Sequence, residues 1–273
     1  MQEFVIGKEM APRIRRMRGK KVVIKFGGSS VNGNGDLEQF CIDIGLLVSV
    51  GVRPVIIHGG GPEINAEMKR LGMEVKKVMG LRVTDEETLR VAKDVLCRMN
   101  THIVEALQAA RVKTIGISGG EGGTVLCRKM GPVKIVDKDG KECLVDLGKV
   151  GEVVSVDPTM INLLCASKFV PVIYPICVDE LGHLLNVNAD TAAAHIAQAL
   201  HSEDIVLVTD VPGLMKENGN GTTVIHETSL TQLDSLISSG IVTDGMVPKI
   251  EACRLAILNG VKTAHMVSGK EPH

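Results

Sequence analysis

The stretch Val22-Val23-Ile24-Lys25-Phe26-Gly27-Gly28 sets a single lysine into an otherwise apolar run and ends it on two glycines. A second apolar run, residues 52 to 57, leads through His58 to Gly59-Gly60-Gly61-Pro62, and a helical pattern from Asp36 to about Val50 separates the two. Short runs without polar alternation are what a parallel sheet covered on both faces requires, and a helix between them is the crossover that parallel pairing needs. Both strand ends also suit an anion. Glycine lets backbone N–H groups approach a phosphate with no Cβ in the way, Pro62 fits the first turn of a helix whose N-terminus is the positive dipole end, and Lys25 adds a compact charge.

Outward from these runs the alternation of strand and helix continues. Thr84-Asp85-Glu86-Glu87 reads as a capping box before a long amphipathic helix with Leu89, Ala92, Leu96, Met99, Ile103 and Leu107 at helical spacing. That stripe suits either the sheet or a dimer interface. A strand over 112 to 117 follows, and residues 124 to 157, with turn signals such as Asp139-Gly140, read as hairpins at a sheet margin. Beyond Pro158 come a helix, a strand at 170 to 173, a helix at 189 to 200, a strand at 205 to 208, helices near 229 to 239 and 246 to 259, and a strand at 263 to 267. The expected fold is α/β, a three-layer αβα sandwich with a mainly parallel central sheet, in two lobes that meet between residues 174 and 182.

Bulk composition narrows the function. With 273 residues, 44% of them hydrophobic, the chain is long enough to fill such a core. A net charge of −1, no Trp and one Tyr argue against nucleic-acid binding, since neither a basic field nor a stacking platform is present. Seven cysteines without a C-x-x-C pair read as small buried hydrophobes in a reducing, cytoplasmic setting. No apolar run approaches the roughly 20 residues of a membrane span. The basic stretch from Arg13 to Lys21 lacks the apolar segment of a secretory leader and reads as a solvated helix face or a subunit contact.

Neither the G-x-x-x-x-G-K-[ST] loop nor the H-R-D and D-F-G pair occurs, so a phosphotransferase here needs another architecture. Lys25, in its apolar strand, either meets an anion or points to solvent at a strand edge, and the glycines behind it favour the anion. Gly59-Gly60-Gly61 is a tight turn or a phosphate cradle; Gly119-Gly120-Glu121-Gly122-Gly123 is equally read as a flexible connection. Arg82 stands just before the long helix, where a guanidinium can hold a carboxylate in two-point fashion or lie on the surface. Asn186, Asn188 and Asp190 alternate before a helix and would point the same way on an extended segment, unless Asn188 or Asp190 simply caps that helix. Lys249 and the loop 209 to 214 carry no signal of their own.

Taken in order, Lys25-Phe26-Gly27-Gly28, His58-Gly59-Gly60-Gly61-Pro62, Gly80-Leu81-Arg82-Val83-Thr84-Asp85, Asn186-Val187-Asn188-Ala189-Asp190 and Thr243-Asp244-Gly245-Met246-Val247-Pro248-Lys249 resemble the amino acid kinase family over nearly the whole chain. The resemblance is strongest to members that phosphorylate the side-chain carboxylate of N-acetyl-L-glutamate in arginine biosynthesis. It implies catalytic roles for Lys25, Lys249 and Asp190, with the lysines on the transferring phosphoryl group and Asp190 holding them. It implies phosphate contacts at Gly27, Gly28 and Gly59, and acetylglutamate contacts at Gly60, Gly61, Arg82, Asn186 and Asn188, with Gly60 also offering its N–H to the phosphoryl group. Thr209, Asp210, Val211, Gly213, Leu214, Lys216, Ile241 and Met246 would hold the nucleotide. The implied cofactors are ATP and Mg²⁺, with no metal site built from protein side chains. Residues 1–178 would form the acetylglutamate-binding and dimerisation lobe and 179–273 the ATP lobe, in a homodimer or a hexamer built from dimers.

Two departures from the family pattern matter. Gly120 stands where relatives often carry lysine, and the sequence stops at Lys270-Glu271-Pro272-His273, where relatives usually continue with a helix and strand that contribute to an arginine feedback site. Weak or absent inhibition by arginine is the resulting expectation. The competing readings are a family member acting on a carrier-linked aminoadipate or glutamate, on free glutamate or on uridylate, and a non-catalytic regulatory module of the same fold.

Overall fold

The computed structural model describes residues 10–27, 34–136, 141–211, 213–218, 221–238 and 246–269. Helix α1 (Met10–Met17) leads into β1 (Lys21–Phe26), α2 (Asn34–Ser49), β2 (Arg53–His58) and α3 (Gly61–Arg70). The two-residue strands β3 (Lys77–Val78) and β4 (Leu81–Arg82) precede α4 (Glu86–Ala109) and β5 (Thr114–Ser118). Four short strands follow, β6 (Val125–Lys129), β7 (Val133–Val136), β8 (Glu142–Val145) and β9 (Gly151–Val156), then α5 (Thr159–Ala166), β10 (Val170–Tyr174), β11 (Ile176–Val178) and β12 (Leu184–Asn186). The remainder is α6 (Ala189–Ala199), β13 (Asp204–Thr209), β14 (Leu214–Asn218), β15 (Gly221–Ile225), α7 (Leu230–Ser238), α8 (Val247–Leu258) and β16 (Thr263–Ser268).

The central sheet has six strands in the order β16-β13-β1-β2-β10-β5, every pairing parallel. β1 lies inside it, with Lys25 opposite Ile57 on one side and Leu207 on the other. Because side chains alternate along a strand, Val23, Val55, Ile173, Ile205 and Leu207 face the layer of α5, α6 and α8, while Val22, Ile24, Phe26, Ile56 and Val172 face α2 and α4. The unbroken apolar runs thus reflect burial on both faces, as expected of a parallel sheet. In α6 the inward residues Ala192, Ala193, Ala194 and Ala197 are small, which lets that helix approach β1 closely.

The apolar stripe of α4 is buried within the chain: Leu89, Ala92, Leu96, Met99, Ile103 and Leu107 all lie in the core, against α3, α2 and the sheet. Burial of each large side chain among them contributes about 1.5–3 kcal/mol. Its cap differs from expectation by one residue. Asp85, not Thr84, is the N-cap, its carboxylate accepting from Thr88 N–H at 2.8 Å, while the Thr84 hydroxyl is buried and donates to the Arg82 carbonyl. Thr84 is drawn into strand-like pairing, its N–H donating to Leu147 O, so the helix starts later.

The margin region resolves into a second sheet, β12-β11-β6-β9, and a separate β7–β8 hairpin. The hairpins β3–β4 and β14–β15 were not expected from the sequence. Five of the seven cysteines are buried, none is bridged, and no helix among the described residues is long and apolar enough to cross a membrane.

Candidate active site

Alternation along β1 puts Lys25 on the same face as Val23, towards α6. There the sequence Asn188-Ala189-Asp190 turns from strand to helix: β12 ends at Asn186, Asn188 is extended, and its side-chain oxygen accepts from the N–H groups of Asp190 and Thr191 at 2.9 and 3.0 Å. Asn188 is therefore the cap of α6. Asp190, in the first turn, lies with Oδ1 2.8 Å from Lys25 Nζ and Oδ2 3.4 Å from Lys249 Nζ. Lys249 reaches it from the first turn of α8, where Pro248 occupies a position that needs no N–H.

One carboxylate thus holds two ammonium groups, leaving a single net positive charge at the carboxyl end of β1. Burial alone would push the Asp190 carboxyl up, but Lys25 and Lys249 together reverse that and hold it below the ordinary carboxylate range. Nearby, burial and the Asp190 charge push the Cys253 thiol up to about 12, which removes it as a nucleophile.

The glycines are explained by close approach. A Cβ on Gly27 would stand 3.1 Å from Gly59 N and 3.4 Å from Lys25 Nζ, one on Gly59 would touch the Ala189 side chain at 3.5 Å, and one on Gly60 would fall 2.7 Å from Met99 Sδ. The ends of β1, β2 and α6 therefore converge, with α4 behind. Gly60 and Gly61 begin α3, and no hydrogen-bond partner for the Gly60 N–H occurs among the described residues. Gly119 and Gly120, by contrast, donate their N–H groups to Tyr174 O and Ile176 O, and a Cβ at 119 would meet Cys177 Sγ at 2.6 Å. Gly119 and Gly120 thus pack against β11 with their N–H groups already engaged.

Arg82, at the end of the β3–β4 hairpin, is buried and held by α3: Nη2 donates to Gly61 O at 3.0 Å and to Asn65 Oδ1 at 2.5 Å, and Nη1 to Met68 Sδ at 3.2 Å. Burial lowers its pKa, so an anion beside it would be favoured. The Asn186 amide donates to Thr84 Oγ1 at 3.3 Å, so Asn186 stands beside the Arg82 backbone. The hairpin tip, with Met79 and Gly80 both at positive φ, brings Gly80 against Pro248, next to Lys249. Asn65 escaped the sequence reading, although its place one helical turn after Gly61 was a usable signal.

Of the residues expected at a nucleotide, Thr209 ends β13 with its hydroxyl donating to Val211 O at 2.6 Å, Asp210 is exposed, and Val211 is half-buried. Gly213 (φ +146°) precedes β14, which Leu214 opens, and Met246 caps α8 beside the cluster of Leu214, Leu233 and Ile250. Lys216 lies on β14; Gly28 and Ile241 lie outside the described residues. A cavity of about 730 Å³ shares only Gly213 and Leu214 with this set and otherwise follows β15, β16 and the segment 226–229. The lysine pair does not line it.

A parallel sheet with two lysines on one aspartate at its carboxyl edge and glycine turns on either side defines the protein's class: the chain belongs to the amino acid kinase family, whose model matches residues 20–268. Its relatives include the acetylglutamate kinase of Methanoculleus marisnigri, 43% identical over 97% of this chain and 91% of that one, and the acetylglutamate kinase of Methanothermobacter thermautotrophicus, 41% identical over the same shares. Among solved structures, an N-acetylglutamate synthase from Neisseria gonorrhoeae complexed with coenzyme A and N-acetyl-glutamate is 25% identical with a TM-score of 0.83, matching 97% of this chain but only 58% of that one. A carbamate kinase from Giardia, 15% identical over 92% and 93% of the two chains, shares the fold with a TM-score of 0.67.

Proposed function

We propose that this protein transfers the γ-phosphoryl group of ATP to the side-chain carboxylate of N-acetyl-L-glutamate, giving N-acetylglutamyl 5-phosphate in arginine biosynthesis, in the cytoplasm. The observation that carries the reading is the Lys25–Asp190–Lys249 trio close to the Gly59-Gly60-Gly61 turn, to whose Gly61 carbonyl the buried Arg82 is hydrogen-bonded. The names of the relatives support the acceptor.

A side-chain carboxylate, with an ordinary pKa of about 4.3, is already ionised at neutral pH and attacks phosphorus without a general base. The protein's task is to align it and to stabilise charge on the phosphoryl oxygens. Arg82, steadied by Asn65, takes the acceptor's α-carboxylate, with Gly61, Asn186 and Asn188 around it. Lys25, Lys249 and the N–H groups at Gly27, Gly28 and Gly60 take the phosphoryl group; the Gly59 N–H, expected to join them, is instead spent on Phe26 O at 3.2 Å, so Gly59 serves the turn rather than the phosphate. Thr209, Asp210, Val211, Gly213, Leu214, Lys216, Ile241 and Met246 take the nucleotide. Mg²⁺ fits as a companion of the ATP phosphates, since Asp190, the buried carboxylate at the site, is committed to the two lysines. When bound it supplies further positive charge to those phosphates. Residues 1–178 form the acceptor and dimerisation lobe and 179–273 the ATP lobe, in a homodimer or a hexamer of dimers.

The test is an ATP- and Mg²⁺-dependent hydroxylamine trap for acyl phosphate, run on N-acetyl-L-glutamate, L-glutamate, N-acetyl-aminoadipate and UMP with ADP release followed in parallel. Hydroxamate from acetylglutamate alone is the expected result. ADP release with UMP only, or no turnover at all, overturns the reading.

A further inference from the structure

His58 is fully buried at the last position of β2, on the α4 side of the sheet, and its ring makes two hydrogen bonds. Nδ1 lies 3.0 Å from the carbonyl oxygen of Gly59, which can only accept, so Nδ1 carries the proton. Nε2 lies 3.1 Å from Asn100 Nδ2, which also donates to Val172 O at 2.9 Å; since that carbonyl can only accept, the orientation of the Asn100 amide is fixed and Nε2 must be the acceptor. Both assignments agree on one neutral tautomer. Burial takes the His58 pKa down to about 4, which keeps the ring in that form at neutral pH. The far side of Asn100 is held as well: a Cβ on Gly116 would stand 1.9 Å from Asn100 Oδ1, so only glycine leaves room for it.

The carbonyl that His58 grips belongs to the same peptide unit as the Gly60 N–H. In a trans peptide the two point in opposite directions, so holding Gly59 O towards the ring turns the Gly60 N–H away from it, out of the α4 side. That N–H has no partner among the described residues. We propose that His58, fixed by Asn100 and by the space at Gly116, is a positioning residue that locks the Gly59–Gly60 peptide so that the Gly60 N–H faces the transferring phosphoryl group. The proposal rests on the reading of the site as a phosphotransferase. A ring kept only to fill space would be replaced equally well by any group of its shape, and the two hydrogen bonds distinguish these roles.

Two substitutions separate the atoms. In His58→Asn the side-chain amide nitrogen occupies the place of Nδ1 and keeps the donor to Gly59 O; in His58→Gln the amide reaches the place of Nε2 and loses that donor. With ADP release measured on whichever acceptor the wild-type protein uses, His58→Gln is expected to lose about 10²-fold in kcat, as for removal of one oriented donor to a developing charge, with KM for the acceptor within about 3-fold of wild type. His58→Asn is expected to keep kcat within about 10-fold at a similar Tm. Equal losses in the two variants, or none in either, overturn the proposal. If no acceptor turns over, the functional reading fails separately, and the ratio of ATP to ADP affinity takes the place of kcat: it is expected to fall in His58→Gln only, and an unchanged ratio overturns the proposal. Should the variants not fold, long-range ¹H–¹⁵N correlation on the wild-type protein is expected to show a protonated Nδ1 and a bare Nε2 for one imidazole at neutral pH, and the opposite tautomer at His58 overturns it.

Discussion

The sequence marked Lys25 and left Lys249 an ordinary lysine, and the fold places both on one buried carboxylate. Lys25→Ala or Lys249→Ala is expected to remove most turnover, about 10²–10³-fold in kcat by steady-state ADP release, because each takes away charge aimed at the phosphoryl oxygens. Lys25→Ala is also expected to lower the unfolding free energy more than Lys249→Ala, since the Lys25 side chain is 9% exposed and that of Lys249 21%. Arg82→Lys should raise KM for the acceptor at least 10-fold and leave KM for ATP near wild type, because an ammonium cannot make the forked contact that Asn65 and Gly61 leave a guanidinium aligned for. His58 gives a pH signature of stability. The unfolded imidazole takes up a proton below pH 6.5 and the folded one only near pH 4, so stability is whole above 6.5 and falls as pH drops towards 4, by about 3 kcal/mol. Denaturant unfolding of His58→Asn should show that much less loss over the same interval. Lys25 and Arg82 were legible because an isolated charge beside glycines is conspicuous in the chain; Asn65 and the role of His58 were not, because their partners are set by packing.

Elements were read well where a period persists. The strands of the central sheet and the long helix α4 follow from runs and stripes of several residues, each reinforcing the next. Boundaries shifted where a residue had two options. Thr84 could cap α4 but is taken up by Leu147 and Arg82, and Asp85 caps instead. Asp85→Ala should therefore destabilise the protein by about 1 kcal/mol in chemical denaturation at neutral pH, and the loss should shrink in acid as the Asp85 carboxyl, held low by Thr88, takes up its proton. Hairpins β3–β4 and β14–β15 escaped because strands of two to five residues carry too few positions for a period to show. At the junction of β2 and α3, Gly60→Ala should cost about 1–3 kcal/mol and lower kcat, since its Cβ would press on Met99 and Leu96 and move the turn.

At the scale of the molecule, the site is a convergence: Lys25 and the glycine turns come from the first part of the chain, Asp190 and Lys249 from the second, and Gly80 of the hairpin lies close enough to Pro248 that a Cβ there would stand 3.4 Å from its ring. Local patterns were enough to determine from the sequence that this is a parallel α/β protein, roughly where its elements lie, and which charged residues sit beside glycine turns. Those properties depend on periodicity and on the backbone freedom of a few neighbours, which any short window contains. Tertiary structure alone decided that one aspartate serves two lysines, that Asn65 steadies Arg82, and that His58 and Asn100, 42 residues apart, lock the peptide before Gly60. Contacts of that kind are fixed by strand order and by which face of a helix meets the sheet, and the order β16-β13-β1-β2-β10-β5 brings together residues whose separation along the chain gives no hint of their meeting.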